Sequence, residues 1–196
     1  MYSLFKILLY SFFTLFFRFK IIGAEHIPVS GGVIIAANHI SLWDPPVLGA
    51  ACTRAINFMA KEELFVNSVF KWIITTLKAF PVRRGTADRT AIRYAISLLK
   101  NGEILGAFPE GTRSMTGELG KPEPGIAMIA LKAGVPIVPA AIIGTNKVFK
   151  KGCILPQFTV KFGKPIIITG EKSDKDMMEA ISNTIMKEIS SLLKER

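Results

Sequence analysis

The sequence is poor in the residues that bind metals or carry redox chemistry. It has 2 Cys and 2 His among 196 residues. Cys52 and Cys153 stand far apart with no Cys-x-x-Cys pairing, and His26 and His39 have no metal-ligand spacing. This pattern offers no metal site, and a reducing compartment is the simpler expectation. Acidic residues are also scarce, 15 against 25 Lys/Arg. There is no internal repeat and no low-complexity tract. No apolar run has the roughly 20 residues that a spanning helix needs. What is present is globular: 49% hydrophobic residues, with Gly and Pro spread along the chain, as suits one domain with a real core.

The net charge of +10 is unevenly placed. Residues 71–170 hold 15 Lys/Arg against 5 Asp/Glu, and the rest of the chain holds 10 against 10. A cationic middle favours an anionic partner: a phosphorylated substrate, an acidic protein, an anionic membrane or nucleic acid. The amino terminus, MYSLFKILLYSFFTLFF, is strongly apolar. As a helix, Leu4 to Phe17 covers roughly 21 Å, short of a hydrocarbon core of about 30 Å. No small-residue cleavage site follows, so it does not read as a signal peptide. Ser3, Lys6, Tyr10, Thr14 and Arg18 recur at helical steps and form a narrow polar stripe. Four exposed phenylalanines (Phe12, Phe13, Phe16, Phe17) would be costly in water. The expectation is a helix at residues 1–18 lying in the membrane interface, basic groups at the headgroups, with spanning open only if its flanks are recruited.

Beyond Arg18, short apolar runs bounded by Gly, Pro and Asn read as strands: FKIIGAEHIP, GGVIIAAN, RAINFMA, AFPVRR, EILGAFP, PIVPAAIIG and FTVKFGK. Helical patterns lie between them. They cover residues 61–78, residues 87–100 after Thr86 as N-cap, Pro124 to Gly134, and a last helix opening with Ser173 and Asp176 as a capping box. Alternation of this kind predicts an α/β domain over residues 19–196, with a mixed, largely parallel sheet flanked by helices. Sites in such sheets form where strands end.

Four strand ends carry polar chemistry. In NHISLWD, Asp44 can curl back to one imidazole nitrogen of His39 and leave the other free to take a proton from an attacking alcohol. A turn with a helix cap explains the same residues, so the stretch alone leaves both open. Lys61 follows RAINFMA at a helix start, where the dipole disfavours a cation. Stabilising an oxyanion or phosphate would explain it, and so would an ordinary surface lysine. Arg83 and Arg84 precede Gly85 and can clamp a phosphate. In FPEGTRS, Gly111 permits close backbone approach, while Thr112, Arg113 and Ser114 can bond phosphate oxygens. Glu110 can hold an arginine or bind a substrate hydroxyl. In GVPIVPAAI, two prolines within a strand pattern predict an edge, a bulge or strain.

Taken together, these blocks resemble the glycerolipid acyltransferase family. NHxxxxD, an Arg-ended block before a helix, FPEGTRS and a VPIVP segment occur in order across residues 19 to about 165. The nearest likeness is to the bacterial 1-acyl-sn-glycerol-3-phosphate acyltransferases. The resemblance implies a glycerol-3-phosphate acyltransferase-like fold, with His39 as general base and Asp44 as its orienter. It places Lys61 near the tetrahedral intermediate, and Arg84, Glu110, Gly111 and Arg113 at the glycerol-phosphate site. Thr112 lies in the same block, and Pro136 and Pro139 match the last one. Many members carry an acidic residue where Arg83 lies. The implied acceptor is lysophosphatidate, and the implied donor a thioester of acyl carrier protein or coenzyme A, with no metal or other cofactor and no nucleic acid. The implied location is the cytoplasmic face of the cell membrane, through a monotopic or single N-terminal anchor. Alternatives are transfer to glycerol 3-phosphate or another lysolipid, a thioesterase or lipid hydrolase using the same dyad on water, and a non-catalytic binder of anionic lipid or nucleic acid.

Overall fold

Each of the seven apolar runs contributes one strand to a single sheet. The computed structural model describes residues 1–83, 88–150, 152, 154–168 and 174–195. The strands are β1 (Lys20–Ile22), β2 (Val33–Ala37), β3 (Ile56–Lys61), β4 (Ala79–Val82), β5 (Ile104–Ala107), β6 (Ile137–Ile143) and β7 (Thr159–Phe162). Their order is β1-β7-β6-β2-β5-β3-β4. Every pairing is parallel except β6 with β7. β2, β5 and β6 have all or nearly all residues buried. This is why they read as continuous apolar runs rather than alternating ones: both sheet faces are covered.

The helices are α1 (Tyr2–Phe17), α2 (Asp44–Ala51), α3 (Ser68–Thr76), α4 (Arg89–Lys100), α5 (Gly125–Ala133) and α6 (Lys175–Lys194). One core cluster joins α1 and α2 to the sheet through Phe13, Phe17, Val47, Leu48, Ile35 and Val138. The other joins α4, α5 and α6 through Ala95, Leu99, Ile126, Ile129, Ile185 and Ile189. Aspartate side chains cap the starts of α4 and α6. Asp88 accepts from Thr90 N and Ala91 N at α4, and Asp174 accepts from Met177 N at α6. The caps are therefore Asp88 and Asp174; the expected Thr86 and Ser173 lie outside the described residues.

Three sequence expectations change. The helix over residues 61–78 is interrupted: Lys61 ends β3, Glu62–Phe65 form a 3-10 turn, and α3 starts only after Asn67, whose side chain accepts from Phe70 N. An Asn able to cap locally competes with continuous helix. The proline-bearing strand β6 is interior, not an edge. Pro139 fits because its carbonyl accepts from Gly163 N just beyond β7, where the ladder breaks before resuming at the Ile137–Ile166 bridge. No strand N–H is demanded of it there.

The third change concerns α1. Phe13 and Phe17 are 0% and 2% exposed, inside the core against Trp43 and Phe158. Burial of each contributes about 1.5–3 kcal/mol. Lys6 also turns inward, donating to the carbonyl oxygens of Cys52 and Thr53. The helix therefore has a second apolar side. Leu4, Ile7, Leu8, Phe12, Leu15 and Phe16 remain exposed. Among the described residues no helix is long and apolar enough to cross a membrane.

Candidate active site

β2, β5, β3 and β4 are adjacent and parallel, so their carboxyl ends share one rim of the sheet. This topology brings His39, Glu110, Lys61 and Arg83 to the same side from four separate stretches of chain. At about 4.8 Å per strand, Lys61 sits roughly 10 Å from the β2 end and Arg83 roughly 15 Å.

His39 leaves β2 one residue after Asn38, which prolongs the sheet with its side chain. The Asn38 amide donates to Ile142 O at 3.0 Å and accepts from Ile142 N at 2.7 Å. It imitates a backbone pair and anchors the strand end to β6. The chain then turns into α2, which starts at Asp44 with Pro45 and Pro46 in its first turn. Proline suits a first turn because its missing N–H has no intrahelical partner there. The result puts His39 Nδ1 2.8 Å from Asp44 Oδ2. The same oxygen accepts from Ile40 N at 2.6 Å and Ser41 N at 2.7 Å, and Oδ1 accepts from Thr145 Oγ1 at 2.6 Å. Asp44 is fully buried and His39 nearly so. Four donors hold the carboxylate in one orientation. It accepts from Nδ1–H, so Nε2 carries the free lone pair.

The imidazole ring also stacks on Phe108, with centroids 4.1 Å apart and an interplanar angle of 19°. Phe58 stacks behind Phe108 at 6.3 Å and 11°. Gly106 makes room for this ladder, because a Cβ there would lie 2.4 Å from the Phe58 ring.

Glu110 is buried, and both its oxygens are occupied by backbone donors. Oε1 accepts from His39 N at 3.0 Å and Oε2 from Gly120 N at 2.9 Å. Ser114 N in turn donates to His39 O at 2.8 Å. The loop after β5 is thus stitched to the loop after β2 on both sides of His39. Gly111 turns this loop at φ 66°, where only glycine is unstrained. Thr112 and Arg113 are exposed beyond it.

The other cationic residues face differently. Lys61 is half-exposed, with its Nζ 2.9 Å from Glu63 Oε1. Arg83 donates through Nε to Glu62 Oε2 at 2.8 Å, and this bond raises the guanidinium above its ordinary value. Arg83 is therefore committed to a carboxylate, while Arg84 lies outside the described residues. Among the described residues no group of His, Cys, Asp or Glu is placed to hold a metal ion.

His39, Asp44 and Glu110 are legible in the sequence, whereas their partners Thr145, Asn38 and Phe108 are not. Thr145 is separated from Asp44 by 101 positions. Its only local signal is a polar residue after Gly144 at the end of an apolar strand.

A family model described as Acyltransferase matches residues 18–143. The 1-acyl-sn-glycerol-3-phosphate acyltransferase of Bacillus subtilis (strain 168) is 41% identical over 140 residues, covering 68% of each chain. The protein of the same name from Streptococcus pneumoniae is 35% identical over 166 residues, which span 83% of this chain and 61% of that one. The crystal structure of the 1-acyl-sn-glycerophosphate acyltransferase PlsC from Thermotoga maritima superposes with a TM-score of 0.79 at 31% identity. The match covers 99% of this chain and 80% of that one. With a family model matching residues 18–143 and a relative 41% identical over 68% of each chain, this chain belongs to the acyltransferase family.

Proposed function

We propose that the protein transfers an acyl chain from a thioester to the free sn-2 hydroxyl of 1-acyl-glycerol-3-phosphate, producing phosphatidic acid. The observation that carries this reading is the buried His39–Asp44 pair at 2.8 Å, with Nε2 left to act on substrate. Nε2 takes the hydroxyl proton as the alkoxide oxygen attacks the thioester carbonyl. The tetrahedral intermediate collapses, the C–S bond breaks, and the imidazolium returns its proton to the departing thiolate. No enzyme nucleophile is required, because the substrate hydroxyl fills that role. The curated relatives act, by name, on 1-acyl-sn-glycerol-3-phosphate, which supports the same acceptor here.

Arg84, Gly111, Thr112 and Arg113 are assigned to the acceptor phosphate, in keeping with the positive excess of residues 71–170. Glu110, with both oxygens bonded to backbone, serves beside them by holding the loop. Lys61 neutralises the oxyanion once its side chain leaves Glu63 and swings across the rim. The donor is a thioester of acyl carrier protein or coenzyme A, and no metal or other cofactor takes part. Residues 1–18 dock the domain residues 19–196 on the cytoplasmic face of the membrane, with the exposed apolar side of α1 in the interface.

The test is thiol release from an acyl thioester by purified protein with and without lysophosphatidate. Release only in its presence supports the reading. Release independent of acceptor identifies a hydrolase using water. Release with glycerol 3-phosphate but not lysophosphatidate reassigns the acceptor.

A further inference from the structure

We propose that Thr145 is a positioning residue for acyl transfer, its hydroxyl fixing the rotation of the Asp44 carboxylate so that Oδ2 stays aimed at the His39 ring. The inference rests on the reading of His39 as general base.

The Asp44 carboxylate is fully buried, and its four donors are unevenly shared. His39 Nδ1, Ile40 N and Ser41 N all converge on Oδ2, whereas Thr145 Oγ1 at 2.6 Å is the donor on Oδ1. Without a partner on Oδ1, rotation about the Cβ–Cγ bond would exchange the two oxygens among the three remaining donors. With one, the plane of the group is set. A carboxylate only accepts, so the threonine must donate, and its own 1% exposure keeps water from competing.

The position of Thr145 is itself fixed by the backbone. It opens the 3-10 turn Thr145–Lys147 immediately after β6. Gly144 before it has φ 93°, and a Cβ there would lie 2.0 Å from Gln157 O. The chain is thus pressed against its neighbour, and the hydroxyl is delivered from the strand that Asn38 clamps to the end of β2. The proline-containing strand reaches the reacting centre in this way, without itself touching it.

The hydroxyl also moderates charge. Removing it leaves Oδ1 with no donor in a dry site, makes the carboxylate more basic, and favours the protonated ring. The other charged groups on the elements around the pair include Glu110, bonded to His39 N, Arg113 on the same loop, Lys6 on α1 against α2, and Lys147, on the Thr145 turn. None of them changes in the test.

The experiment compares wild type, Thr145→Val and Thr145→Ser in acceptor-dependent thiol release across pH. In the valine variant kcat should fall about ten- to hundredfold, the range for losing a hydrogen bond to a charged group. KM for lysophosphatidate should stay within about twofold, because substrate binding is untouched. The acidic limb of the rate profile should move to higher pH. Serine, which keeps the hydroxyl, should restore both kcat and the limb. A valine variant with wild-type kcat and profile overturns the proposal, as does a folded serine variant as impaired as valine. If valine does not fold, Thr145→Cys takes its place, with a weak donor and a smaller loss in the same direction; wild-type behaviour there is equally fatal. Activity in His39→Ala removes the base and the inference together. An inactive His39→Ala beside a wild-type-like Thr145→Val overturns the inference alone.

Discussion

Replacing Glu110 by Gln separates two roles that the same residue could fill, loop latch or substrate ligand. The carboxylate accepts from His39 N at 3.0 Å and from Gly120 N at 2.9 Å, and the side chain is buried. Glutamine has one acceptor oxygen and one NH2 group. It can satisfy one of these backbone donors, but must then point its own N–H groups at the other. One charge-assisted bond is lost, worth about 1.5–3 kcal/mol, and a buried N–H is left without a partner. The net destabilisation should be about 2–4 kcal/mol, which in a domain of this size lowers Tm by roughly 5–15 °C. Because the broken bond ends at the His39 backbone, kcat should fall as well. KM for lysophosphatidate should change less than kcat. Thermal unfolding followed by circular dichroism, with kinetics at a temperature where the variant is folded, reads both quantities. Wild-type Tm combined with a KM raised tenfold or more would refute the latch and make Glu110 a direct ligand of the acceptor.

Phenylalanines one position apart on α1 should behave in opposite ways. The pair Phe12→Ser and Phe16→Ser, on the exposed side, should keep Tm and lose cosedimentation with anionic phospholipid vesicles, whereas Phe13→Ala should cost about 3–5 kcal/mol of stability. Unchanged vesicle binding in the double variant would remove the membrane role of that side. Glu103 supplies a pH test. The Lys78 ammonium at 3.0 Å, and then the Asn57 amide, hold its carboxyl below the ordinary value of 4.5. With the folded value below the unfolded one, the stabilisation is present above pH 4.5 and is lost as pH falls through the folded value. Both side chains are more than a third exposed, so the contribution is under about 1 kcal/mol. Glu103→Gln should remove that part of the acid transition, and an acid unfolding curve identical to wild type would refute the assignment.

The sheet was legible because its strands are buried on both faces. A run such as GGVIIAAN has no other compact use when Gly and Asn bound it. Strand order, and with it the shared rim of His39, Lys61, Arg83 and Glu110, follows from pairing between distant segments and is invisible to local pattern. The His39–Asp44 contact was readable as a possibility, since a helix start can return a carboxylate across a turn. It became a definite geometry only through Ile40 N, Ser41 N and Thr145, and the last of these is contributed by another strand. The errors share a cause. Periodicity assigned α1 one polar stripe and one apolar face, yet Phe13, Phe17 and Lys6 point to the core while Phe12 and Phe16 do not. A helix apolar on two sides has no period that tells which side is covered. The prolines of β6 leave an edge, a bulge or strain open; β6 is interior, and the ladder breaks in its neighbour at Gly163.

Acyl transfer depends most directly on the free nitrogen of His39. Acceptor-dependent thiol release should be measured for wild type and His39→Ala at matched Tm and matched binding of lysophosphatidate. Loss of turnover by about 10²-fold or more, the scale of general-base catalysis, is the predicted result. Turnover within a few-fold of wild type in a folded His39→Ala protein would contradict it.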